Sequence, residues 1–377
     1  MKGKYIMKKN LLLIISAGFA LFSMFFGSGN LVFPIGVGVE SGGHYLMASF
    51  GIFCTGVVFP LLGMLGITLY QGDLSKFFRW FGKRGVFLFS LLALSLMGPF
   101  GVLARCLTVI HGALKLVIPT ASLSLTSLTI CLLIYLMVVN KNRIVTILGT
   151  ILTPFLLLSI LAIVFFAFGK ANLPELDAST NLDAFKNGFF KGYQTMDLVA
   201  SFFFAKFVIK HLKASDVNSE EKEAPLKVFL KASLIGAALL YAVYFALVVL
   251  GSLYAPILAN VPPQEMFGRI ALETLGSFGA PCVCLAVSLA CLTTAIALTS
   301  LFADFLRKDV LQQKIGNKTA ILITLTIAFF VSNLAFAGIA KFLGPILEAI
   351  YPALITLTVI NIGYGIYKRN TSFATVD

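Results

Sequence analysis

Phe19-Ala20-Leu21-Phe22-Ser23-Met24-Phe25-Phe26-Gly27-Ser28-Gly29-Asn30-Leu31-Val32-Phe33-Pro34 is an apolar run interrupted in its middle by Gly-Ser-Gly-Asn. Glycine weakens a helix by about 1 kcal/mol per site, and a polar cluster at membrane depth costs more. Irregular backbone survives there only where protein or a water-filled cavity satisfies its polar groups. The stretch therefore predicts a membrane helix broken on purpose. A second break is expected at Lys186-Asn187-Gly188-Phe189-Phe190-Lys191-Gly192-Tyr193-Gln194-Thr195-Met196-Asp197.

Outward from these two stretches the chain is apolar almost throughout. Of its 377 residues, 59% are hydrophobic and 12% charged, and the mean hydropathy is +0.96. A soluble domain of this length needs far more charge to cover its surface. Runs long enough to cross a bilayer recur over 10–36, 45–70, 86–117, 122–140, 145–169, 187–210, 228–255, 279–306, 319–337 and 345–367. The expectation is an all-α integral membrane protein of about ten helices, with residues 1–377 as one transmembrane domain. The polar insertions near 170–187, 206–227 and 256–275 are too short to fold alone.

The two breaks fall in spans one and six, the same place in two successive sets of five. Five is odd, so the second set (about 187–367) runs inverted relative to the first (about 10–169). Paired broken helices at matching places in inverted halves point to the binding site of a secondary transporter.

The formal net charge of +13 invites a nucleic-acid partner, but its placement argues for topology instead. With the N-terminus inside, all Lys and Arg except Arg105, Lys115, Lys170, Lys186, Lys191, Arg269 and Lys341 lie in inward segments, 29 − 7 = 22 of the 29. The outward loops carry Glu40, Glu175, Asp177, Asp183, Glu265 and Glu273. This bias places both termini in the cytoplasm. The apolar stretch after Lys8-Lys9 runs on to Pro34 without a small-x-small cleavage site, so it is read as a span and not a cleaved signal.

In span eight, Ala290, Thr293 and Thr294 share one helical face. Two hydroxyls and a carbonyl suit a small hard cation; equally, such threonines bond their own helix carbonyls. Asp197 is an intramembrane carboxylate, functional by default. It is expected to bind a substrate ammonium, hold a cation or carry a proton, or to serve as structural partner of Arg105 or of free amides at the break. Arg105, deep in span three, reads as a structural or gating ion pair in preference to a substrate contact. Cys54, Cys106, Cys131, Cys282, Cys284 and Cys291 read as buried small hydrophobes. His44, His111 and His211 form no ligand set. Pro262-Pro263 with Met266, Ile270 and Leu275 reads as a short outer lid helix or a plain connecting loop. No HExxH, GxSxG or Walker sequence is present, which disfavours an enzyme.

The opening stretch closely resembles that of the branched-chain amino acid:cation symporter family. Lys191–Asp197 resembles its sixth-span motif. Gly98-Pro99-Phe100-Gly101 with Arg105, and Leu292-Thr293-Thr294-Ala295-Ile296, resemble its third- and eighth-span motifs. The resemblance implies a leucine-transporter-like, five-plus-five inverted-repeat fold in a bacterial inner membrane. It implies a symporter for leucine, isoleucine or valine with sodium as the coupling ion and no cofactor; the alternatives are another neutral amino acid as cargo or a proton as the coupling ion. By the same resemblance backbone amides of the turn Gly27, Ser28, Gly29 and Asn30 receive the substrate carboxylate, Asn30 matches the position of a second ion or carboxylate contact, and Gly192, Tyr193, Gln194, Thr195 and Asp197 close the pocket. The carbonyls of Ser23, Phe26 and Ala290 and the hydroxyls of Thr293 and Thr294 surround one sodium. The family usually has about twelve spans, and its third-span motif commonly has Pro before the Arg, where this chain has Ala104.

Overall fold

The computed structural model describes residues 2–139, 157–168, 180–204, 224–276 and 279–374, and among these the regular structure is helical, with no strand. The first span is α1 (Lys2–Phe25) and α2 (Ser28–Ser41), parted where the glycine-rich stretch predicts. The second is α3 (Tyr45–Phe53) and α4 (Phe59–Leu69), joined through the π-helical turn Cys54–Val58. A short α5 (Leu74–Phe77) leads to the third span, α6 (Gly82–Met97) and α7 (Val102–Leu114). Then come α8 (Leu123–Val139), α9 (Leu157–Phe168), α10 (Asn181–Tyr193) and α11 (197–204). Beyond them lie α12 (Ala224–Leu253), α13 (Ala255–Leu258), α14 (Met266–Leu275), α15 (Gly279–Phe305), α16 (Asn317–Ser332) and α17 (Ala335–Ala374).

Among the described residues, five stretches are long and apolar enough to cross a membrane: Ser28–Leu69, Arg79–Leu114, Val228–Leu253, Gly279–Val310 and Ala335–Tyr367. Ser28–Leu69 is itself a folded-back pair, parted by the 3-10 turn Gly42–His44. Ile14–Phe25, Leu123–Val139, Leu157–Phe168 and Asn317–Ser332 are shorter apolar helices. Together with the broken pair α10 and α11, these account for the ten expected spans. Of the fifth span only 157–168 is described, and the polar insertions near 170–187 and 206–227 lie largely outside the described residues.

Two expectations need correction, and a third, left open between helix and loop, comes out as a helix. The run 86–117 is not one smooth helix. Pro99 has no N–H to donate, and around it Phe100 N reaches Ser95 O (3.1 Å) and Leu103 N reaches Gly98 O (3.1 Å). These widened turns re-aim α7 relative to α6. Cys282 is exposed and Cys54 and Cys284 are half-buried, because each stands on the side of its helix turned away from the packed interior. The outer segment after Pro262-Pro263 is a helix, with Met266 and Ile270 buried, and Lys115 pins its start through Glu265 at 2.8 Å.

The inverted repeat is visible in the packing. The third span's α7 lies on its counterpart α15, and α8 lies on its counterpart α16. The broken spans are gripped by spans two and seven: α1 and α2 pack on α12, and α10 packs on α3. Small residues line these crossings, as membrane interfaces require for close backbone approach. A Cβ on Gly236 of α12 would meet Gly18 O of α1 at 3.1 Å, and a Cβ on Gly188 of α10 would strike Ala48 O of α3. A Cβ on Gly251 of α12 would strike Ile35 O of α2, and one on Gly63 of α4 would strike Ser201 Oγ of α11. Each crossing in one half thus has a partner in the other.

Candidate functional site

The site is where the two breaks face each other. At the first, Phe26 N still reaches Phe22 O (2.8 Å). Gly27 then turns extended (φ −121°, ψ −161°) before α2 restarts at Ser28. A side chain at Gly27 would press on Thr294, its Cβ standing 3.2 Å from Thr294 Cγ2. A Cβ on Gly29 would lie 3.4 Å from Thr195 Cα and 3.5 Å from Gln194 O. These glycines let the first break sit directly against spans six and eight.

At the second break, α10 ends at Tyr193, and Thr195 donates its hydroxyl back to Gly192 O at 2.8 Å. Met196 adopts a left-handed conformation (φ 63°), which costs a non-glycine residue roughly 1–2 kcal/mol. The reversal starts α11 afresh, with Asp197 as its first residue. An anion there is favoured by the helix dipole, by about 0.3–1 kcal/mol or more when partly buried. Gly192 is required by span two, since its Cβ would collide with the Thr55 hydroxyl. That hydroxyl itself donates to Phe189 O (2.8 Å).

Three spans meet on Asp197. Asn30 Nδ2 lies 3.0 Å from its Oδ1 and 2.8 Å from its Oδ2, and 2.5 Å from Tyr244 Oη. Tyr244, from α12, donates its hydroxyl to Asp197 Oδ2 at 2.7 Å. The Asn30 carbonyl oxygen turns back to accept from Gly27 N (3.4 Å). Asn30, Asp197 and Tyr244 are exposed by 2% or less, so this is a dry, shared hydrogen-bond network in which each bond strengthens the others.

Arg105 stands in a different part of the same centre. It is wholly buried, and it makes no ion pair among the described residues. The expected pairing with Asp197 is not formed, because Asn30 and Tyr244 already occupy that carboxylate. Arg105 donates instead to Gln194 O (2.7 Å) and Gln194 Oε1 (3.1 Å), at the span-six break. Its guanidinium carbon sits 4.9 Å from the Phe33 ring centre and 5.5 Å from that of Phe336, with Phe33 and Phe336 themselves 5.3 Å apart. Arg105 Nε finds no acceptor. Burying a charge without a counter-ion costs several kcal/mol; cation–π contacts return about 2 kcal/mol at best in such a setting.

Among the other expected residues, Ser28 accepts from the Cys106 thiol at 3.6 Å. Tyr193 stacks on Tyr351, ring centres 4.5 Å apart. Thr293 and Thr294 donate to Ala290 O at 2.8 and 3.2 Å, so their hydroxyls bond their own helix. Ser23 is half-buried on α1. Tyr244, Tyr351, Phe33, Phe336 and Cys106 were not expected in the site. A tyrosine in an otherwise apolar span is the one signal that pointed to Tyr244.

Comparison with known proteins bears on the family and fold of the chain as a whole. A family model described as "Branched-chain amino acid transport protein" matches residues 8–376. A putative branched-chain amino acid carrier protein of Staphylococcus epidermidis is 30% identical, the match covering 93% of this chain and 81% of the relative. One of Staphylococcus saprophyticus is 31% identical over 93% and 81%, and one of Staphylococcus aureus 30% identical over 91% and 80%. Among solved structures, the inward-facing conformation of Mhp1 matches with a TM-score of 0.59 at 15% identity, over 92% of this chain and 75% of that one. A manganese transporter of Eremococcus coleocola matches with a TM-score of 0.56 at 16% identity, over 95% and 77%. The last two likenesses concern the fold alone.

Proposed function

Because this chain belongs to the branched-chain amino acid transport protein family, we propose that it imports leucine, isoleucine or valine with sodium, by alternating access to the centre between its two broken helices. It is a membrane-spanning transporter and not an enzyme. The observation that carries the finer reading is the junction of spans one, six and seven through Asn30, Asp197 and Tyr244, beside the contact of Gly27 with Thr294.

In this reading the free N–H groups at the start of α2 take the substrate carboxylate, as helix N-termini favour anions. The sixth-span break closes the pocket from the other side. Sodium sits between Ser23 of α1, Phe26 at the break that follows it, and Ala290, Thr293 and Thr294 of α15. The threonine hydroxyls keep oxygen lone pairs for an ion, while Ala290 O exchanges one of its two hydroxyl donors for it. Close glycine crossings bind α1, α2 and α12 together, and α10, α11, α3 and α4 likewise. These pairs form the moving bundle that rocks against the remaining spans. Both termini lie in the cytoplasm and the membrane is the bacterial inner one, in keeping with the basic inward loops.

Proton coupling is the second reading, favoured by one observation: Asp197 is buried with only neutral partners. Uptake of labelled leucine by proteoliposomes tests both. An inward sodium gradient should drive uptake that excess isoleucine and valine compete away. Failure of folded protein to take up leucine under either a sodium or a proton gradient would overturn the proposal.

A further inference from the structure

Two buried polar atoms near the breaks have no hydrogen-bond partner: Arg105 Nε and Tyr351 Oη. Both side chains are fully buried, and Tyr351 lies within electrostatic reach of both Arg105 and Asp197. Arg105 carries a planar fork of N–H donors that fits a carboxylate. It spends only part of that fork, on the neutral Gln194 carbonyl and amide oxygens. Asp197 is likewise met by neutral groups alone. The centre therefore holds one positive and one negative side chain, not paired with each other, and the Tyr351 hydroxyl in electrostatic reach of both. A free amino acid is a zwitterion, with one charge of each sign a single carbon apart. Gln194 O is also the atom that a Cβ on Gly29 would approach, so Arg105 and the start of α2 converge on one place.

We infer that Arg105 is a substrate-positioning residue: its guanidinium, with the Tyr351 hydroxyl, holds the carboxylate of the amino acid while Asp197 faces the ammonium. The inference rests on the transport reading above and makes it specific. The transporter recognises a free carboxylate by charge, so ligands that keep the ammonium and the branched side chain but lose the negative charge are poor ones. Gln194, on this account, is the neutral group that gives up its hold on Arg105 when a carboxylate arrives. A rigid gate would need no such exchange. The Phe33 and Phe336 rings hold the guanidinium plane in register.

The test is equilibrium binding of labelled leucine to purified full-length protein, with competition by unlabelled leucine and by leucinamide, which lacks the negative charge. Wild-type protein should prefer leucine by at least about 30-fold, the loss typical of removing one partner of a buried charge pair. Arg105→Gln should weaken leucine by a similar factor, leave leucinamide within about threefold, and so abolish the preference. Arg105→Lys, which keeps the charge, should restore part of it, and Tyr351→Phe should reduce it several-fold. Size-exclusion profiles and melting temperatures establish that each variant is folded. Equal weakening of leucine and leucinamide in folded Arg105→Gln would overturn the inference, as would undiminished leucine binding. Wild-type protein that binds neither compound would overturn the transport reading itself.

Discussion

Asn30 and Asp197 stand 167 positions apart in sequence, in opposite halves of the chain, and their side chains meet at 2.8 and 3.0 Å. Each sits just past the break of its own span, so the contact ties the two repeats together at their matching points. Tyr244 adds the seventh span through its hydroxyl. A residue change here acts on the junction of the moving parts.

Tyr244→Phe removes one donor from a buried carboxylate and little else. A hydrogen bond to a charged group is worth about 1.5–3 kcal/mol, so leucine uptake should fall roughly tenfold or more while the protein stays folded. Asn30→Asp is the harsher change, since it sets two carboxylates against each other in a dry site. It should abolish uptake and lower the melting temperature, whereas Asn30→Gln should be intermediate. Uptake rates and melting curves of the three variants check the order.

Gly192 is held to glycine by Thr55. Gly192→Ala should destabilise by about 1–3 kcal/mol, as overpacking usually does. Adding Thr55→Ala should recover a good part of the loss, a non-additive pair. Gly36, beside which a Cβ would meet nothing within 4 Å, is the control. Gly36→Ala lies within α2 and should be neutral or stabilising. Thermal unfolding in detergent reads all four.

Thr294 and Thr293 are half-buried, while Phe33, Arg105 and Phe336, beyond the breaks, are buried. In the proposed orientation, with the basic loops inward, access to Thr294 is expected from the cytoplasmic side. A polar thiol reagent should modify Thr294→Cys from the cytoplasmic side and leave Phe33→Cys untouched from either side, on a background from which all six native cysteines are removed. Labelling of inside-out and right-side-out vesicles separates the two faces.

The breaks were legible in the sequence because glycine, asparagine and aspartate at membrane depth have no cheap alternative explanation. The span count was legible because bilayer thickness fixes helix length. Partner choice was not. Arg105 and Asp197 look like natural partners by charge, yet the reversal at Met196 hands the Arg105 fork the Gln194 carbonyl and amide. Tyr241 and Tyr244 are both in α12, and only the phase of a helix that is apolar all round decides which one reaches Asp197. The bend at Gly98–Gly101 was hidden in an unbroken hydrophobic run, although Pro99 without a donor marks it. For Thr293 and Thr294 the spacing placed both on one face, and the structure gives them to their own Ala290 carbonyl. That is why an ion, and not geometry, must decide their role.

The most direct test is therefore the flux of the ion itself. Radioactive sodium entry into proteoliposomes should be measured with and without external leucine, at clamped voltage, for wild-type protein and for Thr293→Ala with Thr294→Ala. The account predicts leucine-stimulated sodium entry in the wild type and its loss in the double variant. Leucine entry that carries no sodium, or that a proton gradient drives equally well in both proteins, would contradict it and make Asp197 the coupling group.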